Sequence, residues 1–318
     1  MPTRDDVLPV GPPVALDYQI GRTRDIEQLR MGLGRHGEDV VLVDVRRTGK
    51  TTVALCSLEE LSAAGHIVLS VDARDNAPAT VDLARRLEQQ LVAHEAGALV
   101  AARDSGRMLR TLYEHGRGAI ALIDDPQLRE TVNATLPSIH EDMAGVEQLA
   151  RVLDRADAVA AARDVRAIVF VDEIQAISTW ADSEALQALL RQRLRQPGGR
   201  VGYLFAGSEP AAVETLFRRG GALDFQGIEH HLDPIMGPAW FEGLQRAFAL
   251  LDATIDDAAI DTILDASENH PVRTMLAARE THARAETVVP SGHATQGIAT
   301  LAVDAAKRQR LWAIDETP

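Results

Sequence analysis

Apolar residues follow two spacings along this chain, and the spacings separate strands from helices. Three nearly continuous aliphatic runs, Val40 to Val45, Ile67 to Val71 and Ile168 to Val171, and a fourth with aromatics, Val201 to Ala206, have the pattern of strands buried on both faces. Between them apolar positions recur at steps of three and four, as in Val146, Leu149, Leu153, Ala156 and Ala160, or Leu186, Leu190 and Leu194, which predicts amphipathic helices. Strands alternating with helices predict a parallel α/β sheet. The stretch of about 73–166 is longer than a crossover helix needs. It is rich in Ala, Leu and Arg and interrupted by Gly97, Gly106, Gly116 and Gly118, so it reads as a helical insertion. From Pro238 to Ala285 the pattern is purely helical, with breaks at Asp252 to Asp256 and at Asn269-His270-Pro271. Residues 237–287 therefore read as a small helical lid, and 288–318 as a linker and a last helix ending near Trp312. Residues 1–19, with Pro2, Pro9, Pro12 and Pro13 among acids, read as a surface arm rather than a secretory leader.

Composition narrows this picture. The 318 residues, at about 150 per domain, fit one large domain or two unequal ones. The hydrophobic share of 46% and charged share of 25% are ordinary for a globular chain, and no apolar run is long enough to cross a bilayer. Against 47 acidic side chains stand 33 Lys and Arg, a formal net charge of −14, which opposes approach to nucleic acid or anionic lipid. Cys56 is the only cysteine. That excludes an internal disulfide and a multi-thiolate zinc site, and it suits a reducing cytoplasm.

The candidate chemistry starts where the first strand ends. Asp44-Val45-Arg46-Arg47-Thr48-Gly49-Lys50-Thr51, followed by Thr52-Val53-Ala54-Leu55, nearly fits the phosphate-binding (Walker A) loop. That chemistry needs main-chain N–H groups wrapped round phosphates, a Lys for the terminal phosphates, a hydroxyl for Mg²⁺, and a helix N-terminus behind them. Lys50 and Thr51 fill the side-chain roles, and residues 46–52 make the cradle. The departure is Asp44, where the pattern has Gly. Arg46 and Arg47 are placed to neutralise it. A second element, Ala167 to Glu173, is an apolar run ending in two acids, the form of a Walker B strand. Asp172 at the C-terminal edge of the sheet would hold the Mg²⁺ shell, and Glu173 would polarise an attacking water.

With these residues in order, the chain resembles the P-loop ATPases of the AAA+/STAND kind, in particular the archaeal-type ATPases. Ile20-Gly21-Arg22 with Asp25, Glu27 and Leu29 resembles the family's entry motif. Arg46-Arg47-x-Gly49-Lys50-Thr51 is similar to its arginine-pair Walker A, and Asp172-Glu173-Ile174-Gln175 to its Asp-Glu-x-Gln Walker B. Gly207-Ser208 after the fourth strand resembles the sensor 1 position, although Ser208 could equally cap the helix that follows. Asn269-His270-Pro271-x-Arg273 resembles the start of the last lid helix, where Arg273 would be a sensor 2 residue or a plain surface arginine. The resemblance implies a three-layer α/β P-loop NTPase fold over 20–236, with a parallel sheet, a helical insertion and a small C-terminal helical lid. It also implies ATP and Mg²⁺ as cofactors and ATP hydrolysis as the activity. Glu173 and Lys50 would be the catalytic residues, and Arg46, Arg47, Thr48, Gly49, Thr51, Thr52, Ser208 and Arg273 would contact nucleotide. The expected role is a nucleotide-driven switch on a protein partner, with ATP-driven self-association as a further expectation. A low-turnover nucleotide-binding scaffold and a DNA-linked helper ATPase are the alternatives. The net charge argues against the second.

Other features carry less. Arg218 and Arg219 are the candidates for an arginine finger, in what could be a solvated turn. Glu229, His231 and Asp233 would share one face of a strand, a metal-like spacing that edge strands often show. Arg191, Arg193, Arg195 and Arg200 form a basic run beside Pro197-Gly198-Gly199, which reads as a solvated helix end before it reads as a phosphate contact.

Overall fold

A computed structural model of the chain describes residues 2–10, 13–74, 79–95, 144–196, 198–288 and 292–313. The four apolar runs become parallel strands, β1 (Val40–Val43), β2 (Ile67–Asp72), β3 (Ala167–Asp172) and β4 (Val201–Gly207), and a short fifth strand, β5 (Ile228–His230), joins them without an apolar run behind it. Their order in the sheet is β2-β3-β4-β1-β5, with Val71 beside Val171 and Asp72 beside Asp172. The described helices are α1 (Arg4–Val7), α2 (Thr23–Arg30), α3 (Lys50–Ala63), α4 (Thr80–Glu95), α5 (Gly145–Ala162), α6 (Ser183–Leu194) and α7 (Pro210–Phe217). After the sheet come α8 (Gly237–Leu250), α9 (Asp257–Ser267), α10 (Pro271–Val288), α11 (Gln296–Lys307) and α12 (Arg310–Ala313). A two-residue ladder joins β6 (Thr254–Ile255) to β7 (His293–Ala294), so part of the stretch read as linker is paired.

The chain divides into two compact units. One holds Ile26–Val45 and Val53–His231, and the other holds Met1–Asp25, Arg46–Thr52 and Leu232–Pro318. In the sheet unit every residue of β2 and β3 is buried, which is why their sequences lack a polar face. Alternate residues Leu69, Val71, Val169, Val171, Tyr203 and Phe205 enter one core cluster with Leu83, Leu87 and Leu91 of α4 and Leu149, Leu153 and Ala156 of α5. The intervening Val68, Ile168, Phe170 and Leu204 are buried as well. The stretch read as a helical insertion thus supplies at each end a helix of the layered core; Gly97, Gly106, Gly116 and Gly118 lie outside the described residues.

Main-chain groups at the outer side of β2 are met by α4. Gln90 donates to the Ser70 carbonyl and accepts from the Ser70 N–H, both at 2.8 Å. One turn on, His94 Nε2 lies 3.2 Å from the Val68 nitrogen and 3.0 Å from its carbonyl oxygen. The tautomer decides which of the two bonds forms. Burial pushes this imidazole down to about 4, with the bond to Val68 opposing the fall and the Arg163 charge adding to it. Ahead of β1, Asp39 accepts from the Tyr203 N–H at 2.9 Å, and its own carbonyl accepts from the Ile228 N–H at 2.9 Å. Burial drives the Asp39 carboxyl up to about 6, against that hydrogen bond and the Arg166 charge.

The helical unit has its own core, in which Trp240, Leu244, Phe248, Ile260, Ile263, Leu276, Val303 and Trp312 pack together. Its helices break where the sequence predicts. Asp256 caps α9 by accepting from the Ala259 N–H at 2.8 Å, and Glu268 and Asn269 turn the chain with φ of 53° and 59° before Pro271 starts α10. Residues 1–19 are not a surface arm, because Val7 and Leu8 are buried in this core. Proline and acid content masked two apolar anchors. Among the described residues no helix is long and apolar enough to cross a membrane.

Candidate functional site

The phosphate loop belongs to the helical unit. It turns through two left-handed residues, Arg47 with φ of 68° and Gly49 with φ of 101°. Glycine takes the second without steric cost; Arg47 is a non-glycine held where such residues are uncommon. Lys50 and Thr51 are the first two residues of α3, and Lys50 is only 6% exposed. A helix N-terminus offers unpaired N–H groups and the positive end of the dipole, so a lysine there serves an anion better than it serves the helix. From behind, the buried Arg22 donates to the Thr48 carbonyl at 2.9 Å and to the Asp233 carbonyl at 2.5 Å, with Asp25 at 3.4 Å. Arg47 Nη1 donates to the Leu311 carbonyl at 2.9 Å, and the Thr52 hydroxyl accepts from the Val14 N–H at 3.3 Å. Asp44, just after β1, accepts from the N–H of Val45 at 2.7 Å.

The acids lie in the sheet unit. Asp172 ends β3 and is 2% exposed. Glu173 follows in the left-handed region, φ of 50°, and its N–H donates to Asp172 Oδ1 at 2.8 Å. Its carboxylate sits among three donors. Ser208 Oγ and Gln175 Nε2 reach Oε2 at 2.6 and 2.5 Å, and Arg74 Nη1 reaches Oε1 at 3.0 Å. Arg74 also pairs with Asp72 Oδ2 at 2.9 Å. Burial opposes the Arg74 charge, yet the hydrogen bond to Asp72 and the charges of Asp72, Glu173 and Asp172 outweigh it and raise its pKa. Gly207 is required here by close approach: a Cβ would lie 2.3 Å from Val213 Cγ2 and 2.7 Å from Gln175 Oε1. The structure thus gathers Asp172, Glu173 and Ser208, all expected from sequence, with Asp72, Arg74 and Gln175. The N-cap reading of Ser208 is not realised, because α7 is capped at Glu209 without a side-chain bond.

No protein-family model matches the chain, and no curated protein matches it in sequence. Solved structures do match. The ORC2 protein of Aeropyrum pernix, solved with ADPNP and ADP, superposes with a TM-score of 0.57 at 16% identity, over 90% of this chain and 68% of that one. The Walker-type ATPase of Pyrococcus abyssi superposes with 0.61 at 15% identity, over 98% and 79%. The chain has the fold of the P-loop NTPases. The A. pernix ORC1 protein in complex with DNA matches at 0.57 and 18% identity, over 96% of this chain and 70% of that one.

Remaining sequence candidates divide in two. Arg273 lies on α10 with its guanidinium 3.7 Å from Glu268 and 6.0 Å from the centroid of the Trp312 ring. Arg218 and Arg219 are exposed beyond α7. The basic run is engaged within the sheet unit: Arg191 donates to the Ala222 carbonyl at 2.6 Å, Arg193 to Asp154 at 2.6 Å and Arg200 to Asp164 at 3.0 Å, while Arg195 pairs with Asp224. Glu229 and His231 are exposed, and among the described residues no three His, Cys, Asp or Glu side chains are grouped to hold a metal. Arg22, Asp72, Arg74 and Gln175 are the residues to which sequence reasoning gave no role in the site. The signal for Arg74 was an acid and a base, Asp72-Ala73-Arg74, leaving a buried strand together.

Proposed function

We propose that the chain binds ATP with Mg²⁺ and hydrolyses it, as a nucleotide-driven switch of the AAA+/STAND class. The observation that carries this reading is the placement of Lys50 and Thr51 as the first two residues of a helix reached from an inner strand of the sheet, β1, through a loop turned at Arg47 and Gly49. In this reading Lys50, Thr52 and the N–H groups of 46–51 bind the phosphates, and Arg273 and Ser208 contact them as sensors. The Thr51 hydroxyl and the buried Asp172 carboxylate are hard oxygen donors of the kind Mg²⁺ takes. Such an ion keeps water and substrate phosphates as its other ligands. When bound, Mg²⁺ supplies charge neutralisation at the phosphates. Glu173 accepts the proton of the attacking water, which requires it to leave or reorganise its contacts with Ser208, Gln175 and Arg74. The test is calorimetric titration with Mg-ATP and a phosphate-release assay on the purified protein, with Lys50→Ala as control. No binding by the wild type, or equal binding by both, overturns the reading.

The low-turnover scaffold remains the alternative because Glu173 is held by three donors; measurable binding with no phosphate release would establish it. A DNA-linked role has the fold shared with the ORC1 protein in its favour and the net charge of −14 and the engaged basic run against it. Filter binding to duplex DNA at two salt concentrations separates these, since phosphate contacts give a steep salt dependence. ATP/ADP and a protein partner are the expected ligands, with self-association followed by sizing with and without ATP.

A further inference from the structure

Two of the arginines assigned to nucleotide in the helical unit, Arg47 and Arg273, each meet one short element, α12. Arg47 Nη1 donates to the main-chain carbonyl of Leu311 at 2.9 Å, and Arg273 places its guanidinium 6.0 Å from the centroid of the neighbouring Trp312 ring. The ring is 6% exposed and seated in the helical core. Just ahead of it, Gln309 donates to Glu280 of α10 at 2.8 Å. The first of these contacts joins residues 264 apart in sequence, and no motif covers the segment that makes it.

We propose that α12 is a latch on the phosphate-binding arginines, released by nucleotide; this rests on the nucleotide-binding reading above. A peptide carbonyl and an indole face are neutral partners for a guanidinium, and the Glu268 carboxylate 3.7 Å from Arg273 sits on a side chain that is 81% exposed, so water screens that pair. Phosphate oxygens are charged acceptors, and such bonds are roughly twice as strong as neutral ones. A triphosphate in the loop therefore takes Arg47 from Leu311 and draws Arg273 from Trp312, which loosens α12. By linkage the hold runs both ways, so an intact latch lowers ATP affinity by the same factor with which ATP opens the latch. Trp312 and Leu311 act through Arg47 and Arg273, as positioning residues, and touch no reacting atom.

Hydrogen exchange on the full-length wild-type protein tests this without a substitution. With saturating Mg-ATP the amides of 309–313 should exchange about fivefold faster or more, the lower end of usual coupling factors, while the core of α8 does not change. Exchange that is unchanged or slower overturns the latch. In a second arm Trp312→Ala should tighten Mg-ATP binding by about fivefold. Trp312→Phe, which keeps a ring, should stay near wild type, and the tightening should vanish in an Arg47→Ala background. Weaker binding by a folded Trp312→Ala protein also overturns it, and if that variant does not fold the exchange measurement decides. A wild type that gives no Mg-ATP binding heat removes the nucleotide reading and the latch together. Binding with unchanged exchange at 309–313 removes the latch alone.

Discussion

Around the phosphate loop, Arg22 and Arg47 donate to main-chain carbonyls, those of Thr48, Asp233 and Leu311. At the end of β3, Glu173 is held by Arg74, Ser208 and Gln175, and Arg74 in turn by Asp72. A carbonyl is fixed in direction by the fold and carries no charge to titrate. A carboxylate paired with a guanidinium can be rearranged by any ion or water that competes for either partner. The carbonyls that Arg22 meets are therefore built to keep the shape of the loop, whereas the acids, like Arg47 in the latch, are built to change partners.

The sharpest way to break this comparison is Glu173→Gln, which keeps size and hydrogen-bonding reach but removes the base. Turnover should fall by about a hundredfold to a thousandfold, with ATP affinity within twofold of wild type. An unchanged rate would take catalysis away from the acid cluster. Next in size is a pair of buried groups in the sheet unit that titrate in opposite directions. His94 has a folded pKa of about 4 against 6.5 unfolded, so the unfolded chain binds more protons between these values and stability is lost as pH falls through them. Asp39, raised from 3.8 to about 6, binds its proton more tightly when folded, so its contribution is lost as pH rises from about 4 to 6. Each effect is on the order of 3 kcal/mol, and they offset. Denaturant titrations at pH 7 and pH 4.5 should show a shallow wild-type profile, a steep acid loss in Asp39→Asn, and a gain on acidification in His94→Gln. The same slope in all three proteins would show that neither group governs the sheet unit.

Lys50→Ala should weaken Mg-ATP binding by roughly tenfold to a hundredfold, the worth of a lost charge-assisted bond, read by calorimetry. It tests the loop where the first variant tests the acids. The smallest expected effect is that of Arg74→Ala. Half exposed and partnered by two acids, Arg74 restrains Glu173 rather than supporting the fold, so its loss should raise basal turnover a few-fold and leave ATP affinity within twofold. A fall in turnover would make Arg74 an aid to Glu173 instead of a restraint.

How much of this the sequence revealed depends on how local each feature is. The strands were readable because residues such as Val68 to Val71 and Ile168 to Val171 are buried on both faces and leave no polar alternation to misread. Lys50 and Thr51 were readable because the loop is contiguous. The cluster around Glu173 was half readable: Asp172, Glu173 and Gln175 are one motif, but Arg74 arrives from β2 and meets them only through the register that sets Asp72 beside Asp172. Periodicity along α5 showed a helix without showing what it covers, and α4 lay inside the stretch read from composition as an insertion, so both helices of the layered core were read as part of that insertion. The burial of Val7 and Leu8 rests on two apolar residues in a proline-rich stretch, too few to form a pattern.

Gln90 and His94 have a consequence for how copies of this chain can meet. An outer strand with free N–H and C=O groups is a template on which another chain can add a strand, the first step toward aggregates. Here the Gln90 amide acts as a peptide unit of a sixth strand that is never formed, and the opposite border, β5, is only three residues long. At the β2 border another strand could add only by displacing Gln90 and His94 from the main chain of Ser70 and Val68.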